Sequence, residues 1–383
     1  MNPRPHRTWC DINLATLRAN ARFIRRQPGC GAGLLGVVKA NAYGHGLLPV
    51  AQALQHAGAA WLGTANLDEA LTLRQGGITL PILLLSAPLP SEIPEIVRHG
   101  FVFTWSTAAE LRAAARAAAQ LQQPARGFLK TDTGMGRLGC FPHQTQPLLH
   151  LARSTPGLLC LGLSTHYASA DEAPASARAQ HQQFLPYLQT GLPHHTSNSA
   201  ATLRQIDPTA SFARVGLALY GCSPLPAYRS HLRPVLSWKA RITSVRTFPK
   251  GWPISYGSTY RTRRNEQIAV VAVGYGDGLF RRLSPGAHVL LRGQPCPIRG
   301  RITMDQIMID VSSVPNPRPG DPVTLIGQDG PRRIRAEDLA RWADTIPYEI
   351  LTHIQGRVTR HFLSPSPKNQ PSPLDTNSDR LHG

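Results

Sequence analysis

The chain has 383 residues, 41 of them Lys or Arg against 22 Asp or Glu, for a formal net charge of +19. A hydrophobic fraction of 42% is ordinary for a globular protein with a substantial core, and the length allows two domains or one barrel plus an extension. No apolar run approaches the ~18 residues of a membrane span, the polar start from Met1 to Cys10 lacks the apolar segment of a secretory signal, and six singly scattered cysteines speak against a structural zinc site.

Those cysteines read as thiols of a reducing, cytoplasmic compartment. The excess positive charge is nearly all arginine, spread along the chain rather than clustered. Spread charge suits anionic small molecules better than a nucleic-acid duplex or a membrane surface, so neither is expected as a partner. Lysine is rare: Lys39, Lys130, Lys239, Lys250 and Lys368 are the complete set.

Residues 1–10 read as an N-terminal strand that packs with the C-terminal part of the chain. From 11 to 232, short apolar runs alternate with helical patterns. Strands are predicted at Leu34–Val38, Trp61–Thr64, Pro81–Leu85, Phe101–Thr104, Gly127–Lys130, Leu159–Thr165, His194–Ser197 and Phe212–Val215. Helices between them include Leu14–Arg25, Thr107–Gln122 with the capping-box pattern Thr107 and Glu110, and a stretch from about Ala175 to Gln189. Strands alternating with helices in this number predict a (β/α)8 barrel of the TIM type. An open doubly wound sheet is the alternative, weakened because no Gly-x-Gly-x-x-Gly follows the first strand.

After about Arg233 the texture changes, and residues 233–363 are predicted to form a mostly-β domain. Its β-like runs are Val235–Arg246, Ile268–Val273, His288–Arg292, Cys296–Ile302, Ile307–Val311 and Pro322–Ile326, interrupted by one helix near Ala336–Asp344. Residues 364–383 are rich in Pro, Ser and Asn and are expected to be disordered.

The first barrel strand runs into Val37-Val38-Lys39-Ala40-Asn41-Ala42-Tyr43-Gly44-His45-Gly46, a strand end followed by a glycine-containing loop. Lys39 is therefore expected at the C-terminal end of the strand, where barrels carry their chemistry. Desolvation by Val37 and Val38 would lower its pKa and make it an imine-forming nucleophile. The same residues also describe a lysine that merely snorkels out of a strand end. Further segments follow in order: Lys130-Thr-Asp-Thr-Gly-Met-Gly-Arg137-Leu-Gly, Thr165-His166-Tyr167-Ala168-Ser169-Ala170-Asp171, Ser197-Asn198-Ser199-Ala200 and Arg214-Val-Gly216-Leu-Ala-Leu-Tyr220-Gly221. The β-rich part adds Ser255-Tyr256-Gly257-Ser258-Thr259-Tyr260, Gly274-Tyr275-Gly276-Asp277-Gly278, Gly300-Arg-Ile-Thr-Met304-Asp305-Gln306 and Pro347-Tyr348-Glu349.

In this order, from about Trp9 to Phe362, the segments resemble the alanine racemase family of pyridoxal 5'-phosphate (PLP) enzymes. The resemblance implies a barrel plus a β domain, alanine as substrate, and a head-to-tail homodimer whose β domains complete each other's sites. It implies PLP as a Schiff base on Lys39, and no metal. Racemisation needs two bases on opposite faces of the α-carbon, and the resemblance makes them Lys39 and the partner subunit's Tyr256. A free tyrosine has a pKa of ~10, so its phenolate needs cationic support, for which His166 and Arg214 match. Arg214 would also face the pyridine nitrogen and restrain the electron sink, because an arginine does not readily release its proton. Ser199, Gly216 and Leu217, with Asn198, Tyr43 and Tyr348, match the cofactor's holders. Arg137 and the Met304 backbone N–H match contacts to the substrate carboxylate. Lys130 matches a lysine that is carbamylated in many members and would orient Arg137 as an anion. Tyr275 and Tyr348 match residues that narrow the entrance.

One departure from the pattern is Thr303, where many members carry a cysteine. A broader serine and alanine racemase stays open as an alternative. So does a basic-amino-acid decarboxylase, although that type places a Glu where this chain has Arg214. Without the resemblance, Tyr256 could be a strand-edge aromatic and Arg214 a surface salt-bridge residue.

Overall fold

The computed structural model describes residues 6–31 and 33–363. The expected tail at 364–383 and the start of the expected N-terminal strand lie outside the described residues. In chain order, the first part contains β1 (Thr8–Asn13), β2 (Gly33–Val37), β3 (Trp61–Thr64), β4 (Ile82–Leu84), β5 (Val102–Trp105), β6 (Ala125–Lys130), β7 (Leu158–Ser164), β8 (His194–His195) and β9 (Phe212–Val215). Strands β2 to β9 form one eight-stranded sheet in the order β8-β7-β6-β5-β4-β3-β2-β9. All its ladders are parallel, and most of its strand residues are buried, as strands covered by helices must be. No ladder joins β8 to β9. Instead the Ser211 N–H donates to the His194 carbonyl (2.9 Å) and the Arg214 N–H to the Ser197 carbonyl (3.0 Å). The barrel is thus nearly closed.

The covering helices start where capping side chains allow. Asn13 caps Leu14–Arg25 by accepting the Thr16 N–H at 2.9 Å, and Leu17, Ala21 and Ile24 face inward at helical spacing. The Thr107–Glu110 capping box opens Ala108–Leu121. Inside the barrel, Gly127 of β6 makes room for the Trp105 indole, since a Cβ there would lie 2.2 Å from the ring. Gly127→Ala is expected to cost about 1–3 kcal/mol by overpacking. Denaturant unfolding measures it, and an unchanged midpoint would show that the indole can step aside.

The second part contains β10 (Leu236–Phe248), β11 (Pro253–Ile254), β12 (Tyr260–Arg261), β13 (Glu266–Val271), β14 (His288–Leu291), β15 (Gln294–Pro297), β16 (Ile307–Asp310), β17 (Pro322–Asp329), β18 (Arg332–Ile334) and β19 (Thr359–Leu363). Its main sheet runs β15-β14-β17-β10-β1-β19, with β13 and β16 continuing from β10. The chain's first strand lies in this sheet, antiparallel to β10 and parallel to β19. The two parts meet at the predicted change of texture. There the buried Asn20 amide donates to the Leu219 carbonyl (3.0 Å) and the Arg233 carbonyl (2.8 Å) and accepts the Arg233 N–H at 3.1 Å.

Several expected elements differ from the observed ones. The run Cys296–Ile302 pairs only through Pro297, after which Ile298 keeps a single bridge to Ile309. Two helices rather than one interrupt the β domain, Ala336–Ala343 and Pro347–Thr352. The strand His194–Ser197 shortens to His194–His195. Among the described residues, no helix is long and apolar enough to cross a membrane.

Candidate active site

Lys39, Lys130, Arg137, His166 and Arg214 line one cavity of about 310 Å³, together with Leu85, Ser86, Ala87, Thr104, Leu138, Ser164, Thr165 and His195. Lys39 follows β2, Lys130 ends β6, His166 follows β7 and Arg214 lies in β9. The cavity is therefore at the C-terminal ends of the strands.

Past Lys39 the backbone is not the loop expected from the sequence. It winds left-handed, with φ of 53° at Ala40, Asn41, Ala42 and Tyr43. A left-handed turn costs an L-residue about 1–2 kcal/mol, so other contacts must hold it. Glu69 accepts the Ala40 N–H at 2.6 Å, and the Asn41 carboxamide accepts the Leu47 N–H at 2.8 Å. The β domain closes over it: Arg360 donates to the Gly44 carbonyl at 3.1 Å, and a Cβ on Gly44 would lie 2.2 Å from the Leu351 carbonyl.

Arg214 is buried, and every partner it has is neutral. Nε donates to His195 Nδ1 (3.2 Å), Nη1 to His166 Nδ1 (2.9 Å), and Nη2 to the carbonyls of Thr165 (3.0 Å) and Thr196 (3.2 Å). Burial pushes the guanidinium down to about 10, which leaves it protonated at neutral pH. Burial, and then the Arg214 charge, push His166 down to about 2, so its ring is neutral. With Nδ1 accepting, its proton is assigned to Nε2. Burial also lowers Lys39, helped by Arg137 and Arg214 and opposed by Glu69. Lys130 is pushed down to about 7 by burial, then by Arg214 and Arg137, against Asp132.

Arg137 is carried on a loop that Asp132 shapes. The Asp132 carboxylate accepts the N–H groups of Gly134 (2.9 Å), Met135 (2.8 Å), Gly136 (3.1 Å) and Arg137 (3.1 Å). Burial works against its charge, but these four donors hold the carboxyl below its usual range.

A second group of expected residues forms a cradle beside this cavity. Ser199 Oγ accepts the N–H groups of Gly216 and Ala218, both at 3.3 Å. Asn198 caps the short helix Ser199–Leu203 by accepting the Ala201 N–H at 3.0 Å. Leu217 is buried beside them and opens a single 3-10 turn. A Cβ on Gly216 would lie 2.3 Å from the Tyr43 hydroxyl, so only glycine admits the phenol. Tyr43 packs against Tyr220 (4.8 Å between centroids) and Tyr348 (5.8 Å). Burial pushes its phenol up to about 12, which keeps it a donor.

Tyr256, Tyr275 and Met304 are not brought to the cavity of their own chain. They are 71%, 43% and 54% exposed and share one edge of the β domain. The Tyr275 N–H donates to the Thr303 carbonyl (3.0 Å) and the Gly276 N–H to the Met304 carbonyl (2.8 Å). Arg357 bridges these loops, donating to Asp277 (2.7 Å) and Asp305 (2.8 Å). Tyr256 stands in a strained loop between Ser255 (φ 63°) and Ser258 (φ 50°).

Sequence reasoning missed Asp132, Glu69, His195 and Thr165. Asp132 had a usable signal, an Asp followed by a glycine-rich turn whose N–H groups it can gather. Glu69 had none, because its partner Ala40 lies 29 residues away.

The family model described as alanine racemase, N-terminal domain, matches residues 12–224, and the one described as alanine racemase, C-terminal domain, matches residues 235–362. The alanine racemase of Methylacidiphilum infernorum is 40% identical over 369 residues, 95% of this chain and 95% of that protein. That of Halothermothrix orenii is 40% identical over 373 residues, 94% of this chain and 98% of that protein. Among solved structures, the alanine racemase of D-cycloserine-producing Streptomyces lavendulae superposes with a TM-score of 0.89 at 37% identity, covering 94% of this chain and 98% of that one.

Proposed function

This chain belongs to the alanine racemase family and interconverts L- and D-alanine, and we propose that it does so with PLP held on Lys39 and two opposed bases, Lys39 and Tyr256 of a second copy of the chain. The observation that carries this reading is the convergence of Lys39, Lys130, Arg137 and Arg214 on one cavity. Among the charges acting on the two lysines there, Arg137 and Arg214 lower both, opposed by Glu69 at Lys39 and by Asp132 at Lys130. Such a site is suited to anions that relieve the mutual repulsion, namely a phosphate-bearing cofactor and an amino-acid carboxylate.

The residues present fit PLP. Ser199 Oγ already gathers two backbone N–H groups, and Gly216 leaves its Cβ position open beside the Tyr43 hydroxyl. Ser199, Asn198, the N–H groups of Gly216 and Leu217, Tyr43 and Tyr348 would hold the phosphate, with His166 and Arg214 at the ring. When bound, PLP supplies an electron sink for the carbanion at the α-carbon.

Lys39, with its ammonium disfavoured, is a ready amine nucleophile and a base for one face. Arg214 keeps its proton and so would hold a ring nitrogen without protonating it, which would keep the sink moderate. Through His166 Nδ1 it also fixes Nε2–H as a donor, which supports the phenolate of an incoming Tyr256. The exposure of Tyr256, Tyr275 and Met304 supports a homodimer in which they complete the other chain's cavity. Arg137, on its Asp132-braced loop, and the Met304 N–H would take the substrate carboxylate. Tyr275 and Tyr348 would limit the side chain to a methyl group. Six unpaired cysteines, five of them buried, suit the cytoplasm, where the product would serve peptidoglycan synthesis.

Lys130, at about 7, is substantially neutral at physiological pH, as carbamylation by CO2 requires. The carbamate would be an anion beside Arg137. With 13C-bicarbonate, a carbamate resonance is expected that grows as pH rises through about 7 and disappears in Lys130→Arg. A signal independent of pH, or one that survives the substitution, would assign it elsewhere.

The reading as a whole is tested with L-alanine in D2O, following chirality and α-deuterium. If neither D-alanine nor exchange appears while Lys39 demonstrably holds PLP, the proposal fails.

A further inference from the structure

A second cavity, of about 550 Å³, opens between the barrel and the β domain. Arg229 and Arg233 line it from the segment leaving the barrel, and Arg333 and Arg335 from the end of β18, with Thr16 and Ser237 beside them. No carboxylate lines it. Some arginines of this chain find acids, as in Arg282–Asp344, Arg292–Asp321, Arg299–Asp310 and Arg357–Asp277. Among the described residues the four cavity arginines make no such pair, and Arg335 Nη1 is buried with no hydrogen-bond partner. Thr16 belongs to the first turn of Leu14–Arg25 and brings the positive end of that helix dipole to the wall.

We propose that this inter-domain cavity is an anion site for a small, multiply charged phosphate compound carrying a diphosphate group. Guanidinium groups match phosphate oxygens in pairs, and four of them offset the charge of a diphosphate where one or two would suffice for a monoanion. The volume lies within the ordinary range of small-molecule sites. Because Arg229 and Arg233 come from the segment that joins the two parts and Arg333 and Arg335 from the β domain, the ligand would tie that segment to the β domain near Asn20. The site is independent of the catalytic assignments above.

The test is calorimetric titration of the holoenzyme with inorganic pyrophosphate at fixed ionic strength, with alanine present to occupy the catalytic cavity. One pyrophosphate per chain is expected, with inorganic phosphate and citrate binding at least about tenfold more weakly. Arg233→Gln and Arg333→Gln replace exposed side chains, so folding is not at stake. Each is expected to weaken binding about tenfold, the worth of one charge-assisted hydrogen bond, and to leave kcat without pyrophosphate unchanged. Arg229→Gln serves as a third variant. Absence of binding, or binding unaltered in all three variants, overturns the proposal, and citrate binding as tightly as pyrophosphate overturns the phosphate assignment.

Discussion

Lys39→Ala is expected to abolish racemisation, lowering kcat by at least about 10⁴-fold. A positioned acid–base group contributes about 10²–10⁴, and the same amine is assigned the covalent hold on the cofactor. Borohydride should fix PLP to the wild-type chain at Lys39 and leave the variant unlabelled. Compared with the wild-type chain freed of cofactor, so that ligand stabilisation drops out, the variant should nevertheless be no less stable. The folded chain disfavours the Lys39 ammonium through burial and the charges of Arg137 and Arg214. It therefore binds fewer protons at this site than the unfolded chain, and at neutral pH, below the unfolded pKa, the site costs stability. Deleting the amine removes that cost, so the thermal midpoint should hold or rise. Lost activity with a collapsed midpoint would point to a structural role instead.

Tyr256→Phe is expected to slow α-proton removal from one enantiomer by about 10²–10⁴-fold and from the other far less. Following α-deuterium uptake from each enantiomer separately in D2O resolves the two faces. Equal, small losses in both directions would remove Tyr256 from the chemistry. The exposure of Tyr256 in its own chain allows a sharper experiment. If each site takes Lys39 from one chain and Tyr256 from the other, mixing inactive Lys39→Ala and Tyr256→Phe chains regenerates one intact site in every mixed dimer. Random exchange then restores about a quarter of wild-type activity, since half the dimers are mixed and half their sites intact. No recovery after proven exchange would mean that the two residues act within one chain.

The barrel was legible because its signals are local. Trp61–Thr64, Phe212–Val215 and Leu14–Arg25 were expected with the bounds they have, the strands as short apolar runs and the helix through its apolar spacing. The β domain was read less completely. Thr359–Leu363 went unseen because its polar Thr359, Arg360 and His361 carry no alternation, and its strand character comes from parallel pairing with β1, some 350 residues earlier. The catalytic candidates were legible as residue types in ordered segments. What held them was legible only in part: the Asp132 nest is local and had a signal that went unread, whereas the wholly neutral company of Arg214 and the support of Glu69 under Ala40 are contacts between distant segments.

The turn after Lys39 has one further consequence. Residues 40–43 trace the mirror image of ordinary helical backbone, the conformation natural to amino acids of the opposite hand. D-alanine at position 40, where the side chain is exposed, would sit there without the ~1–2 kcal/mol that L-alanine incurs. A chain assembled by chemical ligation with that single inversion should melt higher than the all-L protein. The molecule that this enzyme makes is thus the better-fitting building block for the stretch of its own backbone next to Lys39.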